Sequence, residues 1–105
     1  MLIDTEFALI VAYVRAERKL QVKNALSKAK VDGYTYFPVR GTGEETLTMY
    51  DNEEHLRYEV IVPAAKAIEV GEALVAAART GELGDGVVYS VPVGGAVKVR
   101  TGESL

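Results

Sequence analysis

The distribution of apolar and polar residues along this chain predicts strands and helices in a definite order. Residues 7–14 form an unbroken apolar run rich in β-branched and aromatic side chains, which is typical of a buried strand. Residues 34–40 and 56–62 predict two further strands, and Pro38 favours an edge or bulged position for the first of them. Residues 87–93 predict a fourth strand, and residues 96–100 a short fifth one.

Two segments between these strands predict helices. Residues 15–30 carry apolar side chains at helical spacing, with six basic residues and one acid, Glu17, for the polar face. Residues 64–79 are rich in alanine, and Ile68, Leu74 and Val75 are their packing residues. The resulting order β-α-β-β-α-β is that of the ferredoxin-like plait, an α+β fold with both helices on one face of an antiparallel sheet.

One internal stretch follows neither pattern. Residues 44–54 contain five acids and no base, and we predict a mobile acidic loop at about residues 43–56. The length of 105 residues fits a single domain that spans residues 1–105.

The composition excludes several kinds of chemistry. Without cysteine and with one histidine, His55, the chain has no disulfide, thiolate nucleophile or iron–sulfur site. Its net charge of −3 argues against nucleic acid as a partner. The apolar run at 7–14 is too short to cross a bilayer, and acidic residues precede it where a signal peptide would be basic. We therefore expect a cytoplasmic protein without membrane insertion.

The glycines near the C-terminus suggest an anion site. Residues 79–86, RTGELGDG, join the second helix to the fourth strand, and N–H groups of such a loop can surround an anion. A helix cap followed by a turn is the alternative explanation. Lys98 and Arg100 alternate with valines, so a strand would present both cations on one face, which suits a polyphosphate. Arg40 is a third candidate cation.

Several of these motifs resemble those of a known family. Residues 78–86, ARTGELGDG, and residues 97–103, VKVRTGE, resemble the C-terminal signature of the PII signal-transduction proteins. The similarity extends through residues 33–35, 39–43 and 58–63, and so covers nearly the whole chain. It implies a homotrimer of ferredoxin-like subunits that binds an adenine nucleotide in the clefts between them. It also implies a regulatory protein rather than an enzyme, whose loop controls a partner such as a transporter, an enzyme or a carboxysome component.

The resemblance assigns roles to positions in four parts of the chain. Thr35, Glu59 and Val60 would line the adenine and ribose, and Gly41 and Gly43 would begin the loop over the ligand. The N–H groups of Gly84, Asp85 and Gly86 would hold the phosphates, with Thr80 nearby. Lys98 and Arg100 would neutralise phosphate charge.

Departures from the family pattern alter the expected ligand. Val87 stands where the family has a lysine after Gly-Asp-Gly, and the effector loop is short, with Glu44 and Glu45 among its first residues. Carboxylates there would repel a γ-phosphate or a dicarboxylate, so ADP or AMP is favoured over ATP, and 2-oxoglutarate is disfavoured as an effector. The chain resembles divergent PII-like proteins linked to carboxysomes or bicarbonate transport. Bicarbonate is therefore a further candidate ligand, beside Arg40 or Arg57.

Two other functions stay open. A weak nucleotide hydrolase would use Asp85 or Glu59 as its base, although no nucleophile–base pair is evident. A metal-responsive trimer would combine loop carboxylates with His55. A lone histidine is more often a surface or packing residue, so no tightly bound metal is expected.

Overall fold

The computed structural model describes residues 6–31, 33–41 and 54–105. The elements are β1 (Phe7–Arg15), α1 (Lys19–Lys28), β2 (Thr35–Val39), β3 (His55–Pro63), α2 (Ala67–Ala78) and β4 (Gly86–Val93). Short 3-10 turns, Ala16–Arg18 and Ala64–Lys66, precede the two helices. Residues 43–53 of the predicted acidic loop lie outside the described residues. The end of that prediction is corrected, because β3 already begins at His55.

The described strands form one antiparallel sheet in the order β2-β3-β1-β4. The central strand β1 pairs with β3 and β4, so that Phe7 lies opposite both Pro63 and Val93. Strand β2 pairs with β3 and lies at an edge, as the position of Pro38 predicts. With α1 and α2, this sheet confirms the predicted α+β order of the ferredoxin-like plait.

The core lies between the sheet and the two helices. Every second residue of β1 and β3 points to this side, because successive side chains of a strand alternate between its faces. The buried side chains of the cluster are Ile10, Ala12, Val14, Val22, Leu26, Leu56, Tyr58, Val60, Val62, Val70, Leu74 and Ala78. Removal of this apolar surface from water is the main stabilising contribution to the fold.

The opposite face of the sheet also carries apolar side chains. Leu9 lies in register with Ile61 on one side and Val91 on the other, so the three form a row across β3, β1 and β4. Ile61 is 44% exposed and Val91 41% exposed, although both lie in the sheet. Within this chain, no described helix covers that row, since α1 and α2 pack on the other face.

The predicted fifth strand at 96–100 was wrong. After β4 the chain forms a tight turn, in which Lys98 N–H donates to Glu103 and Gly102 N–H donates to Lys98, both at 2.8 Å. A single bridge joins Val97 to Ser104, and Gly102 has φ +72°, which permits the reversal of direction. Lys98 and Arg100 therefore do not project from one face of a strand.

Neither described helix has the length and apolar character that crossing a bilayer requires.

Candidate functional site

The segment between α2 and β4, residues 80–86, forms a loop around the carboxylate of Asp85. Oδ2 accepts hydrogen bonds from the N–H groups of Thr80 and Gly81, each at 2.8 Å. Oδ1 accepts from the hydroxyl of Thr80 and, at 2.9 Å, from Nε of Arg15. Four donors therefore converge on the Asp85 carboxylate, and these hydrogen bonds hold the conformation of the 80–86 loop.

These contacts hold the pKa of Asp85 well below its usual range. Desolvation of the carboxyl group raises the pKa, but hydrogen bonds from the Thr80 hydroxyl, Arg15 and the two backbone N–H groups outweigh it. The ionised carboxylate is thus committed to the loop, and a group of such low basicity is a poor general base. This environment argues against the hydrolase mechanism in which Asp85 is the base.

Two basic side chains hold the other side of the 80–86 loop. Arg15, which is only 7% exposed, donates from Nη2 to the carbonyl oxygen of Leu83 in addition to its ion pair with Asp85. His55, the cross-strand partner of Arg15, lies with Nε2 at 2.7 Å from the carbonyl oxygen of Gly84, and Nε2 must be the donor because a carbonyl accepts. Sequence analysis missed Arg15 and interpreted His55 as a surface or packing residue. The available signal was an arginine directly after a buried apolar strand.

Gly86 is required where the loop enters β4. Its φ is +114°, and a Cβ at this position would overlap the backbone carbonyl of Tyr13 in β1. Gly84 also has a positive φ of +90°, which side-chain-bearing residues rarely adopt. Backbone conformation thus explains why glycine stands at both positions, and this explanation does not exclude an anion site.

The residues predicted for the adenine side divide between the two faces of the sheet. Thr35 and Glu59 are cross-strand partners and share the face away from the helices. The Val60 side chain is fully buried in the core, so it does not reach that face. Glu59 forms an ion pair with Arg57 (Oε2–Nε 3.0 Å), so a hydrolase base at Glu59 would already be engaged by a cation.

Arg57 is held on the same face by more than Glu59. It also donates a hydrogen bond to the hydroxyl of Tyr13, and its guanidinium carbon lies 5.3 Å from the centre of the Tyr13 ring. Tyr13 in turn stacks against Tyr89, with ring centroids 6.4 Å apart. The cation that sequence analysis offered for bicarbonate is therefore balanced by a carboxylate and packed on an aromatic pair.

The remaining predicted residues lie at other places. Arg40 and Gly41 are exposed just beyond β2, and Gly43 lies outside the described residues. Lys98 and Arg100 are exposed in the C-terminal turn, which follows one end of β4 while the 80–86 loop precedes the other. Among the described residues, no group of three or more histidine, aspartate or glutamate side chains could hold a metal ion.

Comparisons with known proteins agree on one family. The model for "Nitrogen regulatory protein P-II" matches residues 7–103. A nitrogen regulatory protein P-II of Synechocystis is 37% identical over 101 residues, which cover 88% of this chain and 90% of that protein. A P-II homolog of Arabidopsis thaliana is 33% identical over 110 residues, and the match covers 95% of this chain but only 56% of that longer relative. The crystal structure of Arabidopsis thaliana PII bound to citrate superimposes with a TM-score of 0.82 at 37% identity, covering 95% of this chain and 89% of that one.

Proposed function

Because the chain belongs to the nitrogen regulatory protein P-II family, we propose that it is a regulatory protein that binds an adenine nucleotide and thereby controls a partner protein. The 80–86 loop carries this proposal, since it is glycine-rich and its conformation is held by Asp85, Arg15 and His55. The related Arabidopsis protein was crystallised with citrate, a small polyanion, which supports an anionic effector.

The proposed ligand is ADP or AMP in preference to ATP. Val87 follows Gly86 directly and offers no cation, and Glu44 and Glu45 would repel a third phosphate. Lys98 and Arg100 are the cations assigned to the remaining phosphates. Bicarbonate, bound beside Arg40 or Arg57, is the second effector of the proposal, and the protein is assigned to the cytoplasm.

The proposed assembly is a homotrimer with the nucleotide in the clefts between subunits. The apolar row of Leu9, Ile61 and Val91 supports an assembly through the sheet, because burial of exposed apolar surface drives association. A small chain also gains stability from such burial. In this arrangement the residues around Thr35 and Glu59 of one subunit and the 80–86 loop of another would contribute to one site.

Calorimetry with ATP, ADP, AMP and cyclic AMP, each with and without Mg²⁺, 2-oxoglutarate and bicarbonate, tests the ligand. We expect ADP or AMP to bind most tightly, and Lys98→Ala and Arg100→Ala each to weaken ADP by about tenfold, a typical effect of one lost charge-assisted contact. Lys23→Ala, which removes an exposed cation of α1, is the matched control and should leave the affinity unchanged. Absence of binding by every adenine nucleotide would refute the proposal.

Light scattering after size-exclusion chromatography tests the assembly. Ile61→Lys introduces a charge into the apolar row and should dissociate the trimer. Leu20→Lys is the control, because Leu20 is 63% exposed on α1, on the helical side of the sheet. An Ile61→Lys protein of unchanged mass would show that this face is not the interface.

A further inference from the structure

We infer that Arg15 and His55 are positioning residues that hold the 80–86 loop in the conformation in which its backbone N–H groups receive phosphate. The inference rests on the proposed function and adds two residues to its site. Both side chains lie beside the loop, at the ends of the two inner strands, where Arg15 is the last residue of β1 and His55, directly opposite, is the first of β3. Each contacts the loop through polar atoms of the loop backbone.

The geometry of the peptide group links these contacts to the direction of the N–H groups. In a trans peptide the C=O and the following N–H point in opposite directions, and the described chain contains no cis peptide bond. Arg15 binds the carbonyl of Leu83, so the N–H of Gly84 points away from Arg15. His55 binds the carbonyl of Gly84, so the N–H of Asp85 points away from His55. Two successive N–H groups are thereby directed away from the basic side chains.

Asp85 binds the N–H groups of one part of the loop and not those of the other. Its carboxylate accepts from the N–H groups of Thr80 and Gly81, at the start of the loop. These two groups are therefore used internally, as is the N–H of Glu82, which donates to the Thr80 hydroxyl. The N–H groups of residues 84–86 are those that the proposal assigns to phosphate. Arg15 is bound to Asp85 as well as to Leu83, and so it joins the internal half of the loop to the half that would bind phosphate.

The contacts of Arg15 with the loop are largely shielded from water. The Arg15 side chain is 9% exposed and the Asp85 side chain 20% exposed, so water competes weakly for their ion pair. Gly84, whose carbonyl oxygen contacts His55, is itself buried and has a positive φ. If the side chain of Arg15 or His55 is removed, the peptide group whose carbonyl it binds can rotate, and the N–H of that peptide group rotates with it.

The test compares ADP with adenosine in the full-length protein by calorimetry. Arg15→Met and His55→Leu should weaken ADP by about tenfold, as expected for a lost hydrogen bond that acts through the phosphate, and should change adenosine affinity less than about twofold. His55→Gln keeps a donor at a similar reach and should restore most of the ADP affinity. Arg18→Met is the matched control, because Arg18 also donates to a carbonyl group but outside the loop. A parallel loss of ADP and adenosine affinity would show a merely structural role and overturn the inference.

A second measurement separates this inference from the proposed function. Inorganic pyrophosphate is titrated while the amide NMR signals of residues 84–86 are followed, in the wild-type and His55→Leu proteins. The wild-type signals should shift, and those of the variant should shift much less. If the wild type binds no nucleotide, but its 84–86 amides respond to pyrophosphate and those of His55→Leu respond much less, the nucleotide proposal fails and the positioning role stands. If these amides do not respond in the wild type, the positioning role is refuted.

Discussion

Arg18 and Lys66 occupy the same position in the two halves of the fold, and each donates to the end of the helix in the other half. Each is the last residue of the 3-10 turn that precedes a helix. Arg18 donates from Nε and Nη2 to the carbonyl of Ala77 near the end of α2, at 3.0 and 2.8 Å. Lys66 Nζ donates to the carbonyl of Ala29 at the end of α1, at 2.9 Å. The two helices therefore lie antiparallel, and each begins beside a cation that satisfies the final carbonyls of the other.

Arg18→Met should lower the free energy of unfolding by about 1.5–3 kcal/mol, the range for hydrogen bonds to charged groups. Lys66→Met, which removes one such bond instead of two, should cost about 1.5 kcal/mol, and the two losses should add because the length of a helix separates the sites. Urea unfolding of the single and double variants measures both effects. Lys23→Met, exposed on α1, is the control and should change little. A double variant with the same free energy of unfolding as Arg18→Met would show that the contacts of Arg18 and Lys66 are not independent.

Lys30, two residues after the end of α1, adopts a conformation that favours glycine. Its φ is +60°, its N–H donates to Ser27, and the N–H of Val31 donates to Leu26, which together form a Schellman motif. Because a side chain costs about 1–2 kcal/mol in this region, Lys30→Gly should stabilise the fold by about 1 kcal/mol. Thermal unfolding should then shift upward by about 4–8 °C. Lys23→Gly, inside α1, should do the opposite, and a Lys30→Gly protein with a lower melting temperature would contradict the argument.

Two glycines should respond in opposite ways to alanine. Gly86→Ala places a Cβ against the carbonyl of Tyr13 and should cost several kcal/mol, by analogy with other cases of severe overpacking and backbone strain. Gly71→Ala adds a methyl group within α2, where the added Cβ meets nothing, and should stabilise the helix by up to about 1 kcal/mol. Chemical unfolding of both variants distinguishes them. Equal effects of the two substitutions would show that the approach of β1 does not restrict Gly86.

The fold could be predicted from the sequence because its signals are local. A buried strand such as β1 and an alternating one such as β3 are visible in short windows, and the order of the elements specifies the plait. The C-terminal turn could not be predicted, because the alternation of Lys98 and Arg100 with valines is also the pattern of a strand. There the decisive residue was Gly102, whose positive φ reverses the chain.

The candidate site was predicted only in part, for a physical reason. The 80–86 loop was recognised from its glycines, which are contiguous in sequence. Arg15 was not, because its partner Asp85 lies 70 residues away and only the pairing of β1 with β4 brings them together. The resemblance assigned Val60 to the adenine side, and that assignment stays a prediction, while the pleat of β3 directs the Val60 side chain into the core.

The carboxylate of Asp85 should make the stability of the protein depend on acid pH. Its pKa is lowered in the folded protein, so its contribution is complete above the unfolded value of about 3.9 and is lost as the pH falls through the lower folded value. Asp85→Asn removes this contribution. The difference in unfolding free energy between wild type and variant should therefore be constant from about pH 8 to 5 and shrink below about pH 4. Urea unfolding at a series of pH values measures it, and a difference that stays constant down to pH values near 2 would mean that Asp85 does not gain from ionisation in the fold.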